Sequence, residues 1–108
     1  MKMALRGEVW LFDLGLAAKI RPCLVFSVRI ADTDRSLVTL IPHTTSLRGS
    51  RFEAVFPVKF LRSGGFDAQG IVTIPTARLI RHLGTLSPKE LHIVETSVCA
   101  WLGLSAGD

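Results

Sequence analysis

Only one stretch of this 108-residue chain has the pattern of a helix, and this limits the fold more than any other feature. Ser87 is a good N-cap, Pro88 suits the first helical position, and Glu90 completes a capping box. Apolar residues then recur at helical spacing from Leu91 until Gly103 ends the pattern. We therefore predict one C-terminal helix and a remainder built of strands.

Short apolar runs separated by turn residues fill the chain before that helix. The predicted strands are Gly7–Leu14, Arg21–Val28, Leu37–Pro42, Phe52–Val58 and Gly70–Ile80, the last broken or bulged at Pro75. The predicted loops are Ala31–Ser36, Thr44–Arg51 and Arg62–Gly70. This order predicts a single domain over residues 1–108, an α+β, mostly β fold with a compact barrel.

Composition excludes some classes of protein and leaves others open. Lys and Arg outnumber Asp and Glu by 13 to 9, which permits an anionic partner such as nucleic acid but does not require one. No apolar run reaches the roughly 20 residues of a membrane helix, and charged residues interrupt the N-terminus, so we expect a cytoplasmic protein without a membrane partner. We expect Cys23 and Cys99 to be buried free thiols, and Trp10 and Trp101 to lie in the core.

The usual motifs of cofactor and metal chemistry do not occur in the sequence. It contains no glycine-rich phosphate loop, zinc spacing, G-x-S-x-G elbow or close pair of carboxylates, so we expect no cofactor and no metal. Its histidines are scattered, and we expect His92 to be exposed or half-buried on the helix.

Polar residues at the ends of two predicted strands are the candidates for chemistry. Pro22 fixes its own φ and favours an extended Arg21, which would hold that guanidinium at the mouth of a strand, where it suits a phosphate. Alternatively, Arg21 only caps a strand edge or pairs with Asp13 or Glu8. Hydroxyl residues follow the third strand at "IPHTTS", and these too have an alternative role, as a solvated turn.

The ordered segments "GEVWLFDLG", "RPCLVFS", "LIPHTTS", "GIVTIPTARLIRHLGTLS" and "WLGL" resemble the MazF/PemK toxin family of type II toxin–antitoxin systems. The most specific pieces are the Gly-Glu-Val-Trp opening, the Arg-Pro strand start and the Pro-x-Thr-Thr element. The resemblance implies a small SH3-like β-barrel with a C-terminal α-helix, usually a homodimer. It also implies metal-independent, sequence-selective cleavage of single-stranded RNA, often mRNA, and a cognate antitoxin that covers the active groove.

The resemblance assigns the catalytic roles to Arg21 and Thr44. In the family reaction the ribose 2′-OH attacks the adjacent phosphate, which gives a cyclic phosphate and a 5′-OH end. A fixed arginine and a hydroxyl donor would stabilise the charge that builds on the phosphate oxygens. The side chains expected to contact the RNA are Lys19, His43, Thr45, Ser46, Arg48 and Arg78.

The chain departs from the family pattern in two places. An acidic residue found in some relatives falls on Pro75, and an arginine of one subgroup falls on Thr73, so a candidate general base is missing. His43 is an alternative base, but in a strand it would face away from Thr44. The connection "GLAAKI" is also short compared with much of the family.

Two non-enzymatic functions therefore stay open. One is an interaction protein on the same barrel, either a gyrase poison or an inactive nucleic-acid binder. The gyrase poisons depend on a Trp-Gly-Ile end, whereas Leu102 follows Trp101 here. The other is a structural barrel that only dimerises.

Overall fold

The computed structural model describes residues 3–15 and 19–104, which form seven strands and one α-helix. These elements are β1 (Glu8–Asp13), β2 (Ile20–Val25), β3 (Leu37–Thr44), β4 (Glu53–Val55), β5 (Gly65–Asp67), β6 (Val72–Pro75), β7 (Leu79–Thr85) and α1 (Pro88–Leu102). Single 3₁₀ turns at Ala68–Gly70 and Thr76–Arg78 flank β6. No helix in this part of the chain is long and apolar enough to cross a membrane.

The strands form an antiparallel sheet in the order β4-β5-β3-β2-β1-β7. β3 organises it, because its first half pairs with β6, its middle with β2 and its last residues with β5. Among the described residues, no pairing joins β4 to β7, so the sheet is barrel-like without being closed. The predicted fold class, a mostly β domain with a C-terminal helix, is confirmed.

The core lies on both faces of the central strands. On one face Val9, Leu24 and Ile41 pack with Val94 and Val98 of α1. On the other face, neighbouring residues of the same strands form a second apolar cluster that includes Phe12, Cys23, Val25 and Leu40. Burial on alternate faces explains why β2 reads as a continuous apolar run rather than an alternating one.

The helix follows its sequence signals closely. Ser87 Oγ accepts a hydrogen bond from the Glu90 N–H (3.1 Å), and Glu90 Oε1 accepts one from the Ser87 N–H (2.8 Å). The helix ends at Gly103, with φ +69°. The prediction for Trp10 is confirmed, since it is 8% exposed, but the one for Trp101 is wrong. The Trp101 side chain is 40% exposed and contacts the edge of Phe52.

The middle of the chain differs from the sequence-based boundaries. The predicted loop Arg62–Gly70 contains β5, which pairs with β3 and β4 although its own composition gives no strand signal. The predicted strand Gly70–Ile80 is divided by a 3₁₀ turn, after which β7 continues to Thr85. Phe52–Val58 contributes only the three residues of β4.

The two cysteines are free thiols, as predicted. Cys23 is fully buried, and burial raises the pKa of its thiol to about 12, so it is an inert part of the core. Cys99 on α1 is only half-buried, so the prediction that it is buried is wrong for this residue.

Candidate active site

Arg21 and Thr44 lie at the same end of two neighbouring strands in the interior of the sheet, β2 and β3. β2 and β3 are antiparallel, and their register pairs Cys23 with Pro42, so Arg21 and Thr44 lie two residues outward on their respective strands and on the same face. Both line a cavity of about 370 Å³, here called the Arg21–Thr44 cavity. Its lining residues are Leu14, Arg21, Pro42, Thr44, Asp67, Gly70 and Val72.

The backbone around these two side chains is held in place. Phe12 of β1 pairs with Arg21, and the Cys23 thiol donates a weak hydrogen bond to the Arg21 carbonyl (3.6 Å). The Ser46 N–H donates to Thr44 Oγ1 (3.0 Å). Because that N–H occupies a lone pair of the oxygen, the Thr44 hydroxyl is left to act as a donor towards a ligand in the cavity.

Asp67 adds a carboxylate to the Arg21–Thr44 cavity, a role that no motif in the sequence predicted. It ends β5, where its Oδ1 caps the following 3₁₀ turn by accepting from the Gln69 N–H (3.1 Å). Its Oδ2 lies 3.0 Å from the point a Cβ on Gly70 would occupy, so a side chain there would press against this oxygen. The sequence feature that could have identified Asp67 is the preference of aspartate for the N-cap position before a turn.

A larger cavity of about 660 Å³, here called the cationic groove, shares Arg21 with the first. Of the predicted RNA contacts, Lys19, His43 and Thr45 line it. Phe60, Arg62 and Arg81 also line it, and the sequence did not predict their roles; the remaining lining residues are Leu11, Ile20, Pro22, Leu61 and Leu83. None of the described lining residues is acidic, so the groove concentrates positive charge.

His43 is buried, with 4% of its surface exposed, and its ring contacts the edge of Phe66 (centroids 4.9 Å apart). Burial lowers the pKa of His43, which favours a neutral imidazole. It lines the cationic groove and not the cavity that contains Thr44, in agreement with the alternation expected for a strand.

The remaining predicted contacts lie outside both cavities. Ser46 and Arg48 are in the loop after β3, and Glu53 fixes the shape of that loop. The Glu53 carboxylate accepts hydrogen bonds from the N–H groups of Arg48 (3.0 Å), Gly49 (2.9 Å) and Ser50 (3.0 Å). These backbone donors, first of all Arg48, lower the pKa of Glu53.

Arg78 lines neither cavity, but it shares an open depression with Lys19. Its Nη1 donates to the Asp13 carbonyl (3.5 Å). This arrangement places a further cation beside the connection from β1 to β2. The part of "GLAAKI" at residues 16–18 lies outside the described residues.

The two departures from the family pattern lie on β6. Thr73 makes a hydroxyl hydrogen bond with Thr39 (2.7 Å), and Pro75 is exposed opposite Leu37, at the end of β3 remote from Thr44. Only Val72, at the start of β6, reaches the Arg21–Thr44 cavity. Pro75 is therefore not one of the residues that line this cavity within a single chain. Among the described residues, no group of three or more His, Cys, Asp or Glu side chains could hold a metal ion.

Comparison with known proteins assigns the family. The model of the "PemK-like, MazF-like toxin of type II toxin-antitoxin system" family matches residues 5–102, which is most of the chain. The chain therefore belongs to this toxin family.

Solved structures agree with that assignment. An endoribonuclease in complex with its cognate antitoxin, from Mycobacterial species, is 26% identical with a TM-score of 0.80, and the match covers 94% of this chain and 96% of that one. MazE–MazF from Deinococcus radiodurans is 21% identical (TM-score 0.80, 97% and 100% covered). Mycobacterium tuberculosis toxin MazF-mt6 is 23% identical (TM-score 0.76, 90% and 97% covered). The last two, at these identities, show the common fold alone.

Proposed function

We propose that this protein is the toxin of a type II toxin–antitoxin system and acts as a metal-independent, sequence-selective endoribonuclease on single-stranded RNA, including mRNA. The observation that carries the proposal is the meeting of Arg21 and Thr44 in one cavity that opens beside the cationic groove. Family membership supports it, as does the 26% identical structure described as an endoribonuclease.

In the proposed reaction, the 2′-oxygen forms a bond to phosphorus while the bond from phosphorus to the 5′-oxygen breaks. The products are a cyclic phosphate and a 5′-OH end. Arg21 offers two parallel N–H donors to the phosphate oxygens, and Thr44 offers a hydroxyl donor. A guanidinium holds its proton too tightly to be an effective proton donor, so the role of Arg21 is to stabilise charge.

We assign the proton acceptor to Asp67, which fills the role that Pro75 leaves vacant in the family pattern. Its Oδ1 is engaged by Gln69, and its Oδ2 would take the proton from the 2′-OH as the new bond forms. The leaving 5′-oxygen would take a proton from solvent at the open mouth of the cavity. Burial of His43 among apolar groups makes that residue a weaker candidate for the base.

RNA binding would use the charges around these groups. Lys19 and Thr45 would contact the backbone in the cationic groove, while Ser46, Arg48 and Arg78 would act at its rim. We further propose a homodimer and a cognate antitoxin that covers the groove, because a solved relative is described in complex with its cognate antitoxin.

The test is cleavage of single-stranded RNA by the purified protein in EDTA, with mapping of both new ends. We expect 2′,3′-cyclic phosphate and 5′-OH ends, and a loss of about 10²- to 10³-fold in rate for Arg21→Ala and for Thr44→Ala. Arg35→Ala is the control, since Arg35 is exposed in the loop at the other end of β2 and β3. Cleavage at the wild-type rate in both the Arg21→Ala and the Thr44→Ala protein would contradict the proposal. RNA binding without cleavage by the wild type would identify an inactive nucleic-acid binder instead.

A further inference from the structure

We propose that Phe60 is a stacking platform for a nucleobase next to the scissile phosphate, so that the cationic groove binds a base as well as the RNA backbone. This inference rests on the proposed endoribonuclease function and adds a residue that determines substrate selection.

Phe60 is a partly exposed aromatic residue whose ring packs on a glycine of the sheet. It lies in the turn before β5, is 36% exposed and belongs to neither apolar cluster of the described core. Its ring packs against β7 at Gly84, where a Cβ would lie 2.4 Å from Cε2 and 2.6 Å from Cδ2 and Cζ. Glycine at this position leaves room for the ring to pack directly on the backbone of β7, and Phe60 also lines the groove.

The chemistry around the ring matches single-stranded nucleic acid. Lys19, Arg62 and Arg81 line the same groove and can track phosphates, while Leu83 adds apolar surface beside the ring. Proteins that bind single strands combine such a cationic track with aromatic side chains on which bases stack. The volume of about 660 Å³ lies in the range of ligand-binding cavities.

The location of the groove defines which base would stack. Arg21 lines both the groove and the Arg21–Thr44 cavity. A phosphate bound by Arg21 and Thr44 therefore has its neighbouring nucleotide at the mouth of the groove that contains Phe60. Unpaired bases of this kind are the usual target of sequence-specific RNA recognition.

The experiment measures binding of an oligoribonucleotide that contains the mapped cut site, in a Thr44→Ala background that slows cleavage enough for binding to be measured first. We expect Phe60→Leu to weaken binding about 10-fold and Phe60→Trp to retain it, because stacking needs a π-face. Gly84→Ala should also weaken binding, since its methyl group would displace the ring. Phe52→Leu is the matched control, because Phe52 contacts Trp101 on α1 and does not line the groove.

An abasic scan of the same oligonucleotide identifies the stacked base. One abasic nucleotide beside the cut should cost about 10-fold in the Thr44→Ala protein and nothing further in the Thr44→Ala/Phe60→Leu protein. Equal binding by Phe60→Leu, with no abasic position coupled to it, would overturn the platform while RNA cleavage by the wild type still stands. Failure of the wild type to bind or cut any RNA would overturn both proposals.

Discussion

The two carboxylate oxygens of Asp67 have different surroundings. Oδ1 accepts the Gln69 N–H and shapes the turn after β5, whereas Oδ2 lies against Gly70 at the wall of the Arg21–Thr44 cavity. An asparagine retains an oxygen that can cap the turn but cannot accept the 2′-OH proton. One substitution can therefore separate the turn cap from the proposed role of Asp67 as the base.

We predict that Asp67→Asn lowers kcat by about 10²-fold or more, which is the range of general acid–base catalysis, while RNA binding and thermal stability change little. Single-turnover cleavage, together with RNA binding and a melting curve for each protein, measures these effects. Asp32→Asn, in the loop between β2 and β3, is the matched control. An Asp67→Asn protein that cleaves at the wild-type rate would eliminate Asp67 as the base.

At the scale of elements, the connection from β1 to β2 ends in a strained residue. Lys19 has φ +60°, a value that non-glycine residues seldom adopt and that asparagine tolerates better than lysine. Its carbonyl accepts from the Leu14 N–H and its N–H donates to the Gly15 carbonyl, both at 3.0 Å. Lys19 lines the cationic groove directly before Arg21 in the sequence.

Lys19→Asn should therefore remove the charge without disturbing the backbone. We expect an unchanged or higher melting temperature, together with weaker RNA binding and a salt dependence, d log K/d log[salt], reduced in magnitude by about 0.7. Binding measured over a series of salt concentrations gives this slope. Arg35→Gln, which removes a cation away from the groove, should leave it unchanged; the same slope for Lys19→Asn and wild type would show that Lys19 contacts no phosphate.

Local signals in the sequence predicted some elements well and others poorly, for a physical reason. The bounds of α1 follow from Ser87, Glu90 and Gly103, because a helix cap depends only on residues close in sequence. The convergence of Arg21 and Thr44 was predicted only through the family resemblance. Asp67 was missed because β5 forms through pairing with β3 and β4, and no local pattern encodes that pairing.

The cationic groove illustrates the same limit at greater sequence separation. Phe60, Arg62 and Arg81 come from a turn, a loop and β7, and the chain gives no sign that they share a surface until the sheet has formed. Composition predicted an excess of positive charge but not its location. Sites built by one strand end can be predicted from sequence, whereas grooves between several elements depend on tertiary structure.

Across the whole molecule, Arg6 joins the segment before β1 to Phe26, which directly follows β2, and to α1. Its guanidinium pairs with Glu95 of α1, its Nε donates to the Phe26 carbonyl (3.0 Å), and it lies 5.0 Å from the centre of the Phe26 ring. The hydrogen bond from Arg6 is the main reason that the pKa of Glu95 is lowered. This half-exposed pair therefore connects the two ends of the domain.

The lowered pKa gives the pair a pH-dependent effect on stability. Glu95 contributes stability above its unfolded pKa of about 4.3, and this contribution is lost as the pH falls through the lower folded value. We expect Glu95→Gln to reduce the free energy of unfolding at pH 7 by at most about 1 kcal/mol, and by less at pH 3. Urea denaturation at the two pH values measures it. Glu90 is unsuitable as a control because it caps α1, so Asp32→Asn, in the exposed loop between β2 and β3, serves instead. A loss that is equal at both pH values would show that packing, not charge, is responsible.

The Glu53 carboxylate also affects how the surface responds to anions. Three consecutive backbone N–H groups, at residues 48–50, converge on it in the manner of a nest that binds phosphate or sulfate. The chain thus carries its own counter-anion at this loop, and an incoming polyanion would have to compete with a tethered carboxylate for those donors. The backbone donors of the loop after β3 are thus already occupied, and a phosphate at this loop would have to bind through side chains such as that of Arg48.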